Sequence, residues 1–103
     1  MNHYPPLPMH IGEKQKIKDQ DGNEVIYSVT DEIVEMENKE KAIYLQQLGF
    51  AEGHKEYRFA YWRIGRKGMA KGKWVFGQFA PMVTKKVFEE ISKKAMAKGW
   101  FTF

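Results

Sequence analysis

The sequence predicts an α+β fold, in which one compact domain combines an antiparallel sheet with two helices in the order β-β-α-β-β-α. Short runs of alternating apolar residues are separated by glycine-containing turns, and two segments begin at a threonine and end at a glycine, as helices often do. At 103 residues and 43% hydrophobic, the chain has the size and composition of one folded domain. We therefore expect residues 1–103 to share a single core.

Residues 1–12 are expected to form an extended N-terminal arm. The segment 4–8 reads Tyr-Pro-Pro-Leu-Pro, and its prolines favour extended or turn backbone. A segment of this kind can also be a Pro-x-x-Pro ligand for an aromatic groove. An arm that lies over its own domain is the commoner arrangement, and it is the one we predict.

Residues 14–29 have the pattern of a β-hairpin. Asp21-Gly22 is a strong turn signal, and every second residue from Val25 to Val29 is apolar. This alternation predicts a strand with one face toward the core.

The next segment predicts a helix from Asp31 to Leu48. Thr30 can cap it, two acids in the first turn suit the helix dipole, and two Glu–Lys pairs are spaced four residues apart. Gly49 can take the left-handed conformation that ends a helix. The apolar stripe is poor near Asn38, which leaves a break at that point as an alternative.

Two strands, Tyr57 to Ile64 and Lys73 to Ala80, are predicted on either side of a loop, residues 65–72, that contains three glycines and three cations. Thr84 then caps the second predicted helix, and Gly99 ends it. The apolar face of this helix consists of Val87, Phe88, Ile91 and Ala95.

Charge is divided unequally along the chain. Residues 55–103 carry twelve Lys or Arg against three acids, whereas residues 1–54 carry five Lys against ten Asp or Glu. The modest net charge of +4 therefore hides a strongly basic half that is rich in aromatic residues. Such asymmetry favours either a polyanion or an acidic protein as the partner.

Two groups of cations are the candidate phosphate contacts. The first lies in or beside the glycine-rich loop and consists of Arg63, Arg66, Lys67, Lys71 and Lys73. Lys85 and Lys86 form the second, in the first turn of a helix, where free N–H groups attract anions although the dipole disfavours cations. The groups would lie ~25 Å apart at opposite ends of the predicted strand that joins them, and would touch separate points of a long polymer. The alternative is that the loop is only a solvated hairpin tip.

An aromatic platform is predicted on one face of the second hairpin. If the hairpin pairs symmetrically about its loop, Tyr61 faces Phe76. The face then presents Tyr57, Tyr61, Trp74 and Phe76, with Phe59 between the two tyrosines, flanked by Arg63 and Gln78. Bases stack on such surfaces while cations hold the phosphates. Two alternatives remain: both faces can be buried, one under each helix, and a slip of one residue would exchange them.

No catalytic set is recognisable. His3, His10 and His54 lie in predicted loops without evident partners, and the glycine-rich loop lacks the ending of a nucleotide-binding P-loop. The absence of cysteine excludes disulfides and thiolate zinc sites, and no apolar run reaches the ~20 residues of a membrane span. We expect a cytoplasmic protein that is not an enzyme, with no cofactor, no metal site and no membrane contact.

The resulting hypothesis is a non-catalytic nucleic-acid-binding protein. Its cations would neutralise the phosphates of DNA or RNA, and its exposed aromatic side chains would stack on bases. The alternative is a small protein-interaction module, either an inhibitor or an adaptor. Its basic and aromatic surface would bind an acidic protein, such as a nucleic-acid enzyme or a subunit of a larger complex.

Overall fold

A five-stranded antiparallel sheet and one α-helix make up the computed structural model, which describes residues 4–78 and 80–101. The strands lie side by side in chain order: β1 (Lys14–Lys18), β2 (Glu24–Asn38), β3 (Lys41–Phe50), β4 (Lys55–Ile64) and β5 (Trp74–Phe76). The helix α1 (Lys85–Ala97) follows the last strand, and a single 3-10 turn (Gly68–Ala70) lies between β4 and β5. The predicted α+β class with an antiparallel sheet is confirmed, but the described residues form one α-helix rather than two.

The predicted helix from Asp31 to Leu48 is wrong, because this segment forms the long hairpin of β2 and β3. The hairpin turns just after Asn38, whose side chain accepts a hydrogen bond from the Glu40 backbone N–H at 2.8 Å. The Glu37–Lys41 ion pair does form, at 3.0 Å, but it bridges the turn. Such pairs contribute only a few tenths of a kcal/mol to a helix, and the burial gained in a central strand outweighs them.

The sheet has two covered faces. We call them the helix face, which carries Ile33, Ile43 and Leu45 and lies under α1, and the arm face, which carries Ala42, Tyr44 and Ala60. Both cores rest on β3, in which every residue from Ala42 to Leu48 is buried. The arm face is covered by residues 4–11, which we call the arm, and Leu7 of the arm packs against its core.

A β-bulge at Thr30 curls one side of the sheet. The pairing of β2 with β3 shifts by one residue between Val29 and Asp31, so that Val29 and Glu32 face the same side. Bulges of this kind increase the local twist and bend a strand. The bulge therefore turns the β1 end of the sheet toward the arm face, beside a second core of Tyr27, Val29 and Leu48.

The predicted limits of the last helix are confirmed, whereas the first hairpin starts at Lys14 as expected but its second strand continues beyond Val29 to Asn38. The Thr84 hydroxyl accepts a hydrogen bond from the Val87 N–H, and Gly99 has φ +75°. The Trp100 N–H then donates to the Ala95 carbonyl at 3.0 Å, which is the helix-ending motif that a left-handed glycine permits. The Asp21-Gly22 turn joins β1 to β2 as expected. No helix in the described part of the chain is long and apolar enough to cross a bilayer.

The second hairpin differs from the prediction in length and register. β4 ends at Ile64 as expected, but among the described residues of the expected strand Lys73 to Ala80, which exclude Phe79, only Trp74–Phe76 pair with it. Ile64 lies opposite Trp74 and Trp62 opposite Phe76, one residue away from symmetric pairing. The loop between the strands causes this shift. Because of the bridge between Gly65 and Lys71 and the 3-10 turn, the loop contains one residue more than symmetric pairing requires.

Candidate nucleic-acid interface

The helix lies antiparallel to β2, and this direction decides where its N-terminus falls. Near its C-terminal end, Lys98 pairs with Asp31 at 2.9 Å, and Lys94 pairs with Glu35 further along β2. Before the helix, the Lys41 ammonium donates a hydrogen bond to the Met82 carbonyl at 3.1 Å. The start of α1 therefore lies at the end of the sheet that holds the β2–β3 turn.

The same end of the sheet carries the glycine-rich loop, because Lys41 lies opposite Arg63 at the end of β4. The expectation that Lys85 and Lys86 lie far from this loop, at the opposite end of a long strand, is therefore wrong. The reason is that β5 ends at Phe76. Gly77 still donates a hydrogen bond to the Tyr61 carbonyl of β4, and Met82 then lies beside Lys41, just before the helix begins.

All seven predicted cations are thus brought to one end of the sheet, which we call the basic end. Its members are Arg63, Arg66, Lys67, Lys71, Lys73, Lys85 and Lys86. All seven are exposed. Arg66 pairs with Glu40 at 2.7 Å, and Lys85 pairs with Glu89 at 3.7 Å. Within residues 4–78 and 80–101, no carboxylate lies within ion-pairing distance of the other five, so most of this charge is uncompensated.

The loop of the basic end has a defined backbone. The Gly65 N–H donates to the Lys73 carbonyl at 2.9 Å, and the Gly72 N–H donates to the Gly65 carbonyl at 3.0 Å. Gly68 and Gly72 have positive φ angles of 60° and 78°, and a Cβ at Gly65 would overlap the Ala70 carbonyl. A Cβ-bearing residue is disfavoured at each of these positions, so the glycines set the path of the loop.

A cationic cleft lies beside this loop. Its volume is about 350 Å³, and its lining includes the side chains of Arg63, Arg66 and Lys67 together with Ala70 and Val75. These residues carry two guanidinium groups, which suit phosphate geometry, and one ammonium, and the Arg66 guanidinium also pairs with Glu40. Sequence reasoning named the three cations but could not show that they border one cleft.

The predicted aromatic platform is divided between the two faces of the sheet. Tyr57 and Tyr61 lie on the helix face, whereas Trp74 and Phe76 lie beside Trp62 on the arm face. The cause is the register shift of one residue, since side chains alternate between faces along a strand. No single surface therefore presents all four rings.

The four rings also differ in access. Tyr57 is 46% exposed and lies 5.3 Å from the Trp100 ring, and Phe76 is 47% exposed and meets the Trp62 ring edge-on. Tyr61 is half-buried under the Lys41 ammonium, and Trp74 is half-buried under the arm. Only Tyr57 and Phe76 could meet a base without rearrangement of the chain.

Two features of the site escaped sequence reasoning. Met69, in the 3-10 turn, and Met82, just before the helix, are 91% and 82% exposed, and both lie at the basic end. The exposure of Met69 was foreseeable, because it stands in a glycine-rich loop. The contact of Lys41 with Met82 was not, because the sequence predicts a helix at Lys41.

A buried polar cluster on the arm face was also missed. His10 Nδ1 lies 3.1 Å from Glu32, Gln46 donates to the same carboxylate, and Arg58 donates to Gln46 and to the Tyr27 hydroxyl. These partners are up to 31 residues apart, so local patterns could not show them. In the described part of the chain, no three His, Asp or Glu side chains are arranged to hold a metal ion.

No protein-family model matches the chain, and comparison with curated protein sequences and with solved structures finds no significant match.

Proposed function

We propose that this protein binds nucleic acid without catalysing a reaction, and that it does so through phosphate contacts at the basic end. The observation that carries the proposal is the meeting of two separate cation groups at one end of the sheet. Lys85 and Lys86 reach it through the return of the chain to Lys41, and the loop cations reach it through β4. A surface of this charge attracts a polyanion over a distance of several ångströms.

The geometry supports contact with several phosphates rather than with one. The cleft beside the loop offers Arg63, Arg66 and Lys67 to a single phosphate group. Lys71, Lys73 and Lys86 are exposed at the same end of the sheet, and we expect them to contact neighbouring phosphates of the same strand. Such contacts hold the polymer without reading its sequence.

Base stacking has a smaller part in this proposal than the sequence suggested. Tyr57 and Phe76 are accessible, but they point to opposite faces of the sheet, and Trp74 lies beneath the arm. We therefore expect backbone contacts to dominate the binding energy. A strong preference for single strands, which stacking would produce, is not expected.

The test compares two triple variants that remove equal charge. The first changes Lys67, Lys71 and Lys73 to Ala at the basic end, and the matched control changes Lys14, Lys16 and Lys18 to Ala on β1, at the opposite edge of the sheet. All six side chains are exposed, so neither variant disturbs the core. Fluorescence anisotropy with labelled single-stranded and duplex DNA and RNA, measured across salt concentrations, reports the affinity and its salt dependence.

We expect the loop variant to bind weakly. Its salt slope should be about 3 smaller than that of the unmodified chain, because each lysine bound to a phosphate contributes about 1 to the slope. The β1 variant should keep nearly the original slope. If both variants lose affinity equally, the binding is diffuse attraction to a basic protein and the site proposal is wrong. Absence of binding near physiological salt would exclude the function itself.

A second candidate function is supported by the two exposed methionines. Met69 and Met82 lie among cations, and Met and Arg are both enriched in the centres of protein–protein interfaces. An acidic protein partner would meet the same basic end. Substitution of Met69 and Met82 by Ser separates the two functions, because it should weaken the binding of an acidic protein strongly and leave phosphate contacts unchanged.

A further inference from the structure

The arm lies in an aromatic groove and is held through two backbone carbonyls and, at its start, through the Tyr4 hydroxyl, which donates to Glu40 at 2.8 Å. The Trp74 indole N–H donates to the Pro5 carbonyl at 2.8 Å, and the Tyr44 hydroxyl donates to the Pro8 carbonyl at 2.9 Å. Burial raises the pKa of Tyr44, with a further contribution from Glu32, so this hydroxyl keeps its proton and remains a donor. The hydrogen bonds from Trp74 and Tyr44 are made to backbone carbonyls. They therefore do not depend on the side chains of the two residues that carry these carbonyls.

The spacing of the two carbonyls matches a polyproline II helix. They are three residues apart, and three residues make one turn of that helix, about 9 Å long. A residue before proline is confined to extended or polyproline II backbone, and this applies to Tyr4, Pro5 and Leu7. Carbonyls one turn apart point the same way, so one wall of aromatic donors can reach both.

The side chains of the arm divide into anchors and spacers. Leu7 packs against the core of the arm face, and the Tyr4 ring meets Trp74 edge-on at 6.4 Å. Pro5 and Pro6 are exposed. Exposed prolines add little burial, so their physical effect is to fix the backbone before it docks.

The arm is attached to the domain beyond this segment. The His10 ring is buried, stacks on Trp62 at 4.2 Å, and its backbone N–H donates to Glu32 at 2.8 Å. Gly12, with φ +95°, then leads into β1. Residues 4–8 can therefore leave the groove while His10 keeps the arm joined to the sheet.

We propose that the arm face of the sheet is a binding groove for extended proline-rich peptides, which residues 4–8 of the chain itself occupy as an intramolecular ligand. The partner is a protein segment of the type aromatic-Pro-Pro-aliphatic-Pro, the chemistry that the groove already holds. Trp74 and Tyr44 bind its carbonyls, and the core around Ala42 and Ala60 receives its aliphatic side chain. The attached arm competes with such a partner at a high effective concentration and thereby limits its binding.

The experiment uses the full chain with Pro5→Gly and Pro6→Gly. Both positions are exposed, so the core stays intact while the arm loses its preset backbone. The probe is an acetylated Tyr-Pro-Pro-Leu-Pro-Met peptide, and the control is the same peptide with its first two prolines replaced by Gly. NMR of the ¹⁵N-labelled protein follows the backbone N–H groups of Val75 and Phe76 beside the groove, which every variant keeps, and yields the dissociation constant.

We expect the double-glycine protein to bind the proline peptide about tenfold more tightly than the unmodified chain does, because its groove is open more often. The glycine peptide should bind about tenfold more weakly than the proline peptide. Trp74→Phe, added to the double-glycine protein, keeps a ring but removes the N–H donor, and should abolish most of the gain.

Three results would overturn the proposal. The first is that the arm leaves the groove of the double-glycine protein and the proline peptide still does not bind at millimolar concentration. The groove would then serve only to hold the arm as part of the fold. The same conclusion holds if the arm stays docked without its prolines. A concentration-dependent dimer with exchanged arms would instead give the groove to a second copy of this chain, and would exclude a foreign peptide as its partner.

Discussion

The two faces of the sheet are covered in different ways. On the helix face, α1 contributes Val87, Ile91 and Ala95 to a core that is almost wholly apolar. On the arm face, a segment without regular secondary structure contributes one leucine and a buried histidine, and is held by hydrogen bonds to Trp74 and Tyr44. Both arrangements exclude water from β3, but they depend on different forces.

The difference concerns how easily each cover can be removed. The helix is joined to the sheet by burial, which disappears only when the whole interface opens. Residues 4–8 of the arm are joined by a few directional bonds, which a competing peptide can replace, whereas the polar cluster at His10 keeps the arm attached. We therefore expect the helix face to contribute most to the stability of the domain, and exchange of the cover to occur on the arm face.

The largest effect should come from Ile91→Ala on the helix face. Ile91 is 1% exposed at the centre of that core, and a large-to-small change there leaves a cavity that the rigid sheet cannot close. We expect the free energy of unfolding to fall by about 3–4 kcal/mol, measured by urea denaturation. Phe88→Ala is the matched control, because Phe88 stands on the same helix but is 54% exposed. A similar loss in both variants would show that the helix face is not the principal core.

Glu32→Ala tests the arm face and should cost less. Glu32 is buried and accepts hydrogen bonds from the His10 backbone N–H and from Gln46. Its removal leaves buried donors unsatisfied, at about 2–3 kcal/mol, and should also speed amide exchange at His10. Glu35→Ala is the control, since that carboxylate pairs with Lys94 near the surface and should cost well under about 1 kcal/mol. If exchange at His10 is unchanged in Glu32→Ala, the polar cluster does not hold the arm.

The fold could be predicted where local signals decide it. The turn at Asp21-Gly22 and both ends of α1 depend on the conformation or the side chain of single residues, and each is where the sequence indicates. The β2–β3 hairpin could not be predicted, because β3 is buried on both faces and shows no alternation. The spacing of Glu37 and Lys41 also favoured a helix wrongly, because two residues four apart can pair across a tight turn as well as along a helix.

The candidate site could be predicted in composition but not in assembly. The uneven charge of the chain pointed to all seven cations of the basic end. Whether these cations lie at one end depends on where β5 ends and on the hydrogen bond from Lys41 to the Met82 carbonyl. Both are determined by tertiary structure, which local sequence patterns do not show. The aromatic platform failed for a similar reason, because one extra residue in the loop moves Trp74 and Phe76 to the other face.

The smallest effect should come from Thr84→Ala, which connects the helix face to the basic end. Loss of the capping hydroxyl leaves the Val87 N–H without its side-chain partner and should cost about 1 kcal/mol, whereas Thr84→Ser should restore most of it.

We also expect Thr84→Ala to affect the affinity for nucleic acid without affecting the salt dependence of binding. Lys85 and Lys86 keep their charges, so the salt slope measured by anisotropy should be unchanged. Fraying of the first turn makes their positions less defined, so the affinity should fall by a few-fold at most. A changed slope would mean that these two lysines contact phosphates only when the helix is capped, which would make the helix face a requirement for the basic end rather than a neighbour of it.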